Sequence, residues 1–186
     1  MYKDESLTKF LDDTAAKMPA PGGGASAALT AAMGAALLSM VINFTLGKPK
    51  YVAFETELKA SLEKAEQLRA EFLRLVDLDV TAYASKDLRN ALDVPFMVCR
   101  LCEKAIELCP PLVKKGNVNL ISDVAVAAIL LESAFAAALC NVEINLKALG
   151  EKSFTKAVHK ELRAKEKVTK KIRAKTEAQV GKIIRG

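Results

Sequence analysis

Between Lys17 and Lys48 the chain carries no charged residue. A helix that is apolar all round either crosses a bilayer or sits at the centre of a bundle. The content of the stretch decides between these. It opens on a turn, Pro19-Ala20-Pro21-Gly22-Gly23-Gly24, and continues rich in Ala and Gly, with Ser26, Thr30, Ser39, Asn43 and Thr45 interspersed. Small residues let other helices approach on every side. The stretch therefore reads as the buried central helix of a soluble protein that does not enter a membrane.

The rest of the chain supplies helices to wrap it. Hydrophobic residues make up 51% of the 186, aromatics only 5%, and Gly and Pro are few and clustered, which favours helix over strand. Ser6–Met18 predicts a short amphipathic helix, and the glycine triplet to about Leu46 the central one. Tyr51–Asn90 carries Leu58, Leu62, Ala65, Leu68, Phe72, Leu75 and Val76 at steps of three and four. Asp93 reads as the cap of a further helix with Pro95 in its first turn, broken or kinked at Pro110-Pro111. Ser122–Leu149 is nearly all apolar and stops at Gly150. A last helix opens at Ser153 or Thr155, with Phe154, Val158, Leu162, Val168, Ile172, Val180 and Ile183 inside. The predicted fold is all-α: one domain over 1–186, a bundle of five to six helices with two apolar helices at its centre. Two Ala-rich helices can also pack across a two-fold axis, so a homodimer is expected.

Charge is unevenly placed. Of the net +6, residues 151–186 contribute 12 Lys/Arg against 4 Asp/Glu, leaving the first 150 residues slightly acidic. A basic C-terminal helix is either a solvated face or a surface for a polyanion. Nucleic acid is the weaker partner, because no aromatics interleave with the cations. Met1–Phe10 is polar and mixed in charge, unlike a signal peptide, so a cytoplasmic chain with reduced thiols is expected. Cys99-x-x-Cys102 has no second pair, and the single His159 is far away in sequence. Cys99, Cys102 and Cys109 fit one helical face as buried, inert thiols rather than metal ligands.

Three groups carry possible chemistry. Pro21-Gly22-Gly23-Gly24 before a helix exposes backbone N–H groups where the helix dipole is positive, a corner for a carboxylate, a phosphate or an oxyanion, or simply a tight turn. Asp77 and Asp79 lie in the apolar stretch Leu75–Val80 on different faces. One is then expected to face solvent and one the interior, where a carboxylate with a raised pKa could act as general acid or base; the plain alternative is two ordinary helix-surface acids. Gly116-Asn117-x-Asn119-x-x-Ser122-Asp123 is ordinary capping chemistry, or a set of amide-like partners for a heterocycle.

In combination these markers are more specific. Pro21–Ala28, Met33-Gly34-Ala35-Ala36-Leu37-x-Ser39-Met40-Val41, Asn43-x-Thr45-x-Gly47-Lys48 and Tyr51 come first. Asp77-x-Asp79-x-x-Ala82-Tyr83, Val94-Pro95, Lys115-Gly116-Asn117, Ile121-Ser122-Asp123 and Asn141-Val142-x-Ile144-Asn145-Leu146 follow. Over residues 8–155, in this order, the chain resembles the formimidoyltetrahydrofolate cyclodeaminase / methenyltetrahydrofolate cyclohydrolase family. The resemblance implies an all-helical dimer acting on a tetrahydrofolate derivative, with no metal and no cofactor beyond that substrate. It implies Asp79 as the catalytic acid/base. It also implies substrate-binding positions at Gly22, Gly23, Gly24, Ser26, Asn43, Lys48, Asn117, Ser122 and Asp123, with the glycine corner and the Asn117–Asp123 turn shaping one pocket. Lys48, Lys50 or the basic last helix would attract the anionic glutamate tail. A chain with no transferase domain leans toward the cyclohydrolase. One stretch departs from the pattern: only Ala84–Asp93 separates Tyr83 from Val94, where the family carries a longer segment that helps form the folate site. The rival reading is a non-catalytic folate-binding or helical scaffold protein.

Overall fold

The computed structural model describes Met1–Gly186 as seven α-helices joined by short turns, with no strand. They are α1 (Leu7–Ala15), α2 (Gly23–Asn43), α3 (Glu55–Ala84), α4 (Leu88–Ile106), α5 (Cys109–Lys115), α6 (Ile121–Leu149) and α7 (Lys152–Arg185). The charge-free α2 is the central helix expected, packed between α3 and α6; α4 and α7 also pack against α6. Ala25, Ala28, Ala31 and Ala35 on α2 and Val124, Ala127, Leu131, Phe135 and Ala138 on α6 are fully buried. At Gly34 a Cβ would lie 2.8 Å from Leu131 Cγ, so the absent side chain is what lets α6 come this close.

The two helices run antiparallel. Gly23 lies beside Asn141, Gly34 beside Leu131, and the end of α2 beside Asn117. Both are long and apolar enough to cross a membrane, but 61% of the α2 stretch is buried inside the protein against 44% of the α6 stretch. Met33, Val126 and Ile144 stand exposed on these helices.

Three helix boundaries differ from the sequence reading. The long helix stops at Ala84, and Lys86 takes a left-handed φ of +56° that no helix can continue. Asp87, not Asp93, then caps α4, accepting from the Arg89 and Asn90 N–H groups at 2.8 and 3.2 Å. Pro95 therefore lies inside α4 rather than in its first turn. A proline there deprives the carbonyl four residues back, Ala91, of its donor. Asn145 of α6 replaces it, its Nδ2 donating to Ala91 O at 2.7 Å. Pro110-Pro111, expected to end a helix, instead open the short α5, where a missing N–H costs nothing.

The inner stripe of α7 also shifts. Val158, Leu162 and Val180 are buried as expected, but Thr169 and Thr176 complete the stripe, while Val168 and Ile183 face outward. The three-four spacing from Leu162 passes through the threonines, one position off the neighbouring valine. Three charged residues of the helix pair with its neighbours: Arg100–Glu161 and Lys165–Glu103 tie α4 to α7, and Arg173 reaches the buried Glu132 of α6 at 2.9 Å.

Because Asn145 satisfies a carbonyl that has no other donor, Asn145→Leu should destabilise the fold by roughly 1–3 kcal/mol, the cost of an unmet polar group. Denaturant melts check this, and Pro95→Ala, which restores the missing N–H, should recover part of the loss in the double variant.

Candidate functional site

Three elements meet at the start of α2. Gly22 occupies the N-cap position and offers no side chain, so the first-turn N–H groups lack the usual partner. Asp79 of α3 supplies one from outside the helix: its Oδ2 accepts from the Ala25 N–H at 2.8 Å. The Gly23 and Gly24 N–H groups donate to no protein atom. A Cβ at Gly24 would fall 2.1 Å from Asp79 Oδ1, and one at Gly23 would lie 3.1 Å from both Asn141 amide atoms. The two glycines thus admit a carboxylate and a carboxamide to the helix end.

Asp79, Asn141, Asn145, Gly22, Gly23 and Tyr83 line a cleft of about 330 Å³. Pro19, Ala20, Tyr83, Ala91 and Asn145 are shared with an adjoining apolar hollow of about 630 Å³ that reaches Val80, Lys86 and Leu88. Burial pushes the Asp79 carboxyl above its usual range; the Ala25 hydrogen bond opposes this and does not overcome it. The result is a group that can hold or release a proton nearer neutrality than a free aspartate, beside two unoccupied N–H donors.

Asp77 has a different task. It is buried, and its Oδ1 accepts the Lys3 backbone N–H at 3.2 Å, which anchors the N-terminal segment against α3. Its Oδ2 has no partner. The expectation that one of the two acids faces solvent is corrected: Asp77 is covered by the returning N-terminus and Asp79 is half-buried in the cleft.

Of the residues singled out in the sequence, Gly22, Gly23, Gly24 and Asp79 converge, with Ser26 one turn along α2. Asn43, Lys48, Asn117, Ser122 and Asp123 do not join them within one chain. They lie at the other end of α2, which at about 1.5 Å per residue is some 30 Å away. Asn117 is occupied there: its N–H donates to Thr45 Oγ1 at 2.8 Å, its Nδ2 to Phe44 O at 3.1 Å, and its Oδ1 accepts from Asn119. Asn43, Lys48 and Ser122 are exposed, and Asp123 is half-buried in the first turn of α6. The single pocket expected from the glycine corner and the Asn117–Asp123 turn is therefore not formed by one protomer, because the helix that joins them holds them apart. Asn141 and Asn145 were in view only as parts of a motif; their i, i+4 spacing on α6 was the signal that they share a face.

Cys99, Cys102 and Cys109 are buried, and Cys140 is exposed. Burial lifts the Cys99 and Cys109 thiols to about 12 and Cys102 well above its ordinary value, so these three are poor nucleophiles. No three His, Cys, Asp or Glu side chains converge as a metal would require. A larger hollow, about 1060 Å³ between the end of α6 and α7, is lined by Lys147, Lys152, Lys156, Lys160, Arg163 and by His159, whose Nε2 lies 2.8 Å from Glu143 Oε2; no carboxylate lines it.

The formiminotransferase-cyclodeaminase profile matches residues 6–86 and 84–164. The chain belongs to that family. The two matched blocks meet at the α3–α4 turn, where the sequence showed its short connection. Among relatives of the family, a methenyltetrahydrofolate cyclohydrolase of Methylorubrum extorquens is 38% identical, covering 87% of this chain and 89% of the relative. The mouse formimidoyltransferase-cyclodeaminase is 32% identical over 84% of this chain, which spans 33% of that longer protein. The crystal structure of formiminotetrahydrofolate cyclodeaminase from Thermotoga maritima superposes with a TM-score of 0.93 at 31% identity, over 99% of this chain and 100% of that one.

Proposed function

We propose that this protein is a folate one-carbon enzyme acting at the Asp79 cleft, and that it hydrolyses 5,10-methenyltetrahydrofolate to 10-formyltetrahydrofolate. The observation that carries the reading is Asp79 itself, a half-buried carboxylate held against the Gly22–Gly24 corner in a chain 38% identical to a cyclohydrolase. In the hydrolysis a water attacks the carbon bridged by N5 and N10. Asp79 takes the water's proton as the C–O bond forms. It returns that proton to N5 as the C–N5 bond breaks, while the remaining hydroxyl proton leaves to solvent and the carbon stays on N10 as the formyl group. The Gly23 and Gly24 N–H groups are donors for the oxygen that gains charge in between. No metal or cofactor enters these steps.

The resemblance to the Thermotoga maritima cyclodeaminase supports a second reaction at the same site, in which N10 attacks the formimino carbon and Asp79 protonates the departing ammonia. Steady-state loss of the methenyl chromophore, with ammonia release from the formimino substrate followed in parallel, separates the two. Turnover of neither by a protein that binds folate would favour the non-catalytic binding reading.

The same proposal places the protein in the cytoplasm as a homodimer that binds neither membrane nor nucleic acid. The exposed apolar side chains of α2 and α6 support the dimer. Two copies packed antiparallel through these helices would bring one protomer's Asn117–Asp123 turn to its partner's glycine corner, giving that turn its role in the pocket. Sedimentation without detergent should give about twice the 20.0 kDa chain mass. A monomer at micromolar concentration, or a protein recovered wholly in membranes, is the contrary result.

A further inference from the structure

We propose that Lys86, in the α3–α4 turn, binds the carboxylate-bearing end of the substrate and so fixes the direction in which it lies in the cleft. The inference rests on the folate reading above and adds the orientation. The cleft is graded along its length. Asp79, Asn141 and the glycine corner make its polar end; Pro19, Val80, Tyr83, Ala91 and Leu88 make an apolar middle; Lys86 is the sole cation that lines it, at the far end.

The turn holds Lys86 there by its backbone. Its φ is +56° and its N–H donates to Tyr83 O at 3.2 Å, closing α3. Its ammonium has no ion-pair partner, whereas the next cation, Arg89, is engaged by Glu151 at 2.8 Å and lies over the Phe154 ring. The adjacent acid, Asp87, is also committed: its Oδ1 accepts two N–H groups at the start of α4, whose dipole offsets its charge. An anion arriving at this end therefore meets a free ammonium and a capped carboxylate.

The spacing fits the ligand. Asp79 and Tyr83 stand at i and i+4 on one face of α3, about 6 Å apart along its axis, and Lys86 follows in the turn two residues past the helix end at Ala84. In a tetrahydrofolate the reacting carbon is joined through N10 to an aryl ring, then an amide, then the glutamate carboxylates. Polar site, apolar wall and cation follow in the same order. The α3–α4 turn itself thus places a charge at the cleft.

The test compares wild type with Lys86→Met and Lys86→Arg. Each is titrated with 5-formyltetrahydrofolate and with the corresponding pteroate, which lacks the glutamate, and each is assayed for KM and kcat on the methenyl substrate. Lys86→Met should raise KM, and weaken binding of the glutamate-bearing ligand, by about tenfold, the scale of one charge-assisted contact, with kcat within about twofold. The pteroate should bind both proteins alike, and Lys86→Arg should keep most of the affinity. Unchanged KM, or equal weakening toward the pteroate, overturns the assignment while leaving the folate reading in place. Failure of the wild type to bind either ligand overturns both.

Discussion

Asp79→Asn should lower kcat by about 10²–10⁴-fold, the usual worth of a positioned general acid/base, while folate affinity changes little. Asparagine keeps the shape of the side chain and can still accept the Ala25 N–H through its Oδ1, so the start of α2 remains capped. What it cannot do is exchange a proton near neutrality. The pH–rate profile offers a second readout. Because burial raises the Asp79 pKa, the acid limb of the wild-type profile should lie above the ordinary carboxylate range, and the residual activity of the variant should lack that limb.

Stability should move the other way. A carboxyl whose folded pKa exceeds its unfolded value is less favourable when charged in the native state. That cost is present above the folded pKa, shrinks as pH falls through the folded pKa, and is absent below the unfolded one. Asp79→Asn should accordingly melt at or above the wild-type temperature at pH 7, and the difference should close toward about pH 3. A variant that loses turnover while gaining stability is the mark of a group kept for chemistry rather than for the fold. Asp77→Asn should affect turnover far less, since Asp77 holds the N-terminal segment and does not line the cleft. Wild-type kcat in Asp79→Asn would exclude the mechanism.

Gly24→Ala should be nearly as damaging, although it adds one methyl group. Its Cβ would lie 2.1 Å from Asp79 Oδ1 and 2.6 Å from Cγ, so the carboxylate must swing away and give up the Ala25 N–H. We expect a loss in kcat of about 10²-fold or more, as the general acid/base leaves its position. The overpacking should cost roughly 1–3 kcal/mol. The double variant Gly24→Ala/Asp79→Asn should be little slower than the worse single one, since both remove the same group. Additive losses in kcat would show that the glycine acts independently of Asp79.

These expectations join residues 55 positions apart in the chain, and that separation marks where sequence reasoning ended. The charge-free stretch, the leucine and alanine spacings and Gly150 were sufficient for an all-helical bundle around a buried α2, because the periodicity of burial is a local property. The order of the motifs was sufficient to single out Asp79 and the glycine triplet. Their contact was not legible, since nothing local to either reports that α3 passes the start of α2 at hydrogen-bonding distance.

The failures have the same origin. Asp93 carries a good capping side chain, but Lys86 breaks the helix earlier through a left-handed φ that lysine seldom adopts, so Asp87 caps instead. Pro95 looked like a first-turn proline because its interior position is tolerated only through Asn145, fifty residues on. Asn117, Ser122 and Asp123 resembled pocket residues by type, and the length of α2 sets them at its far end. The sequence by itself determined which segments are helical, which of them is central and that two carboxylates, Asp77 and Asp79, are set among apolar neighbours, all consequences of residue type and local spacing. Which polar groups meet was decided by tertiary structure alone, because a hydrogen bond between two helices depends on how they pack, and packing is fixed by side chains distributed over the whole chain.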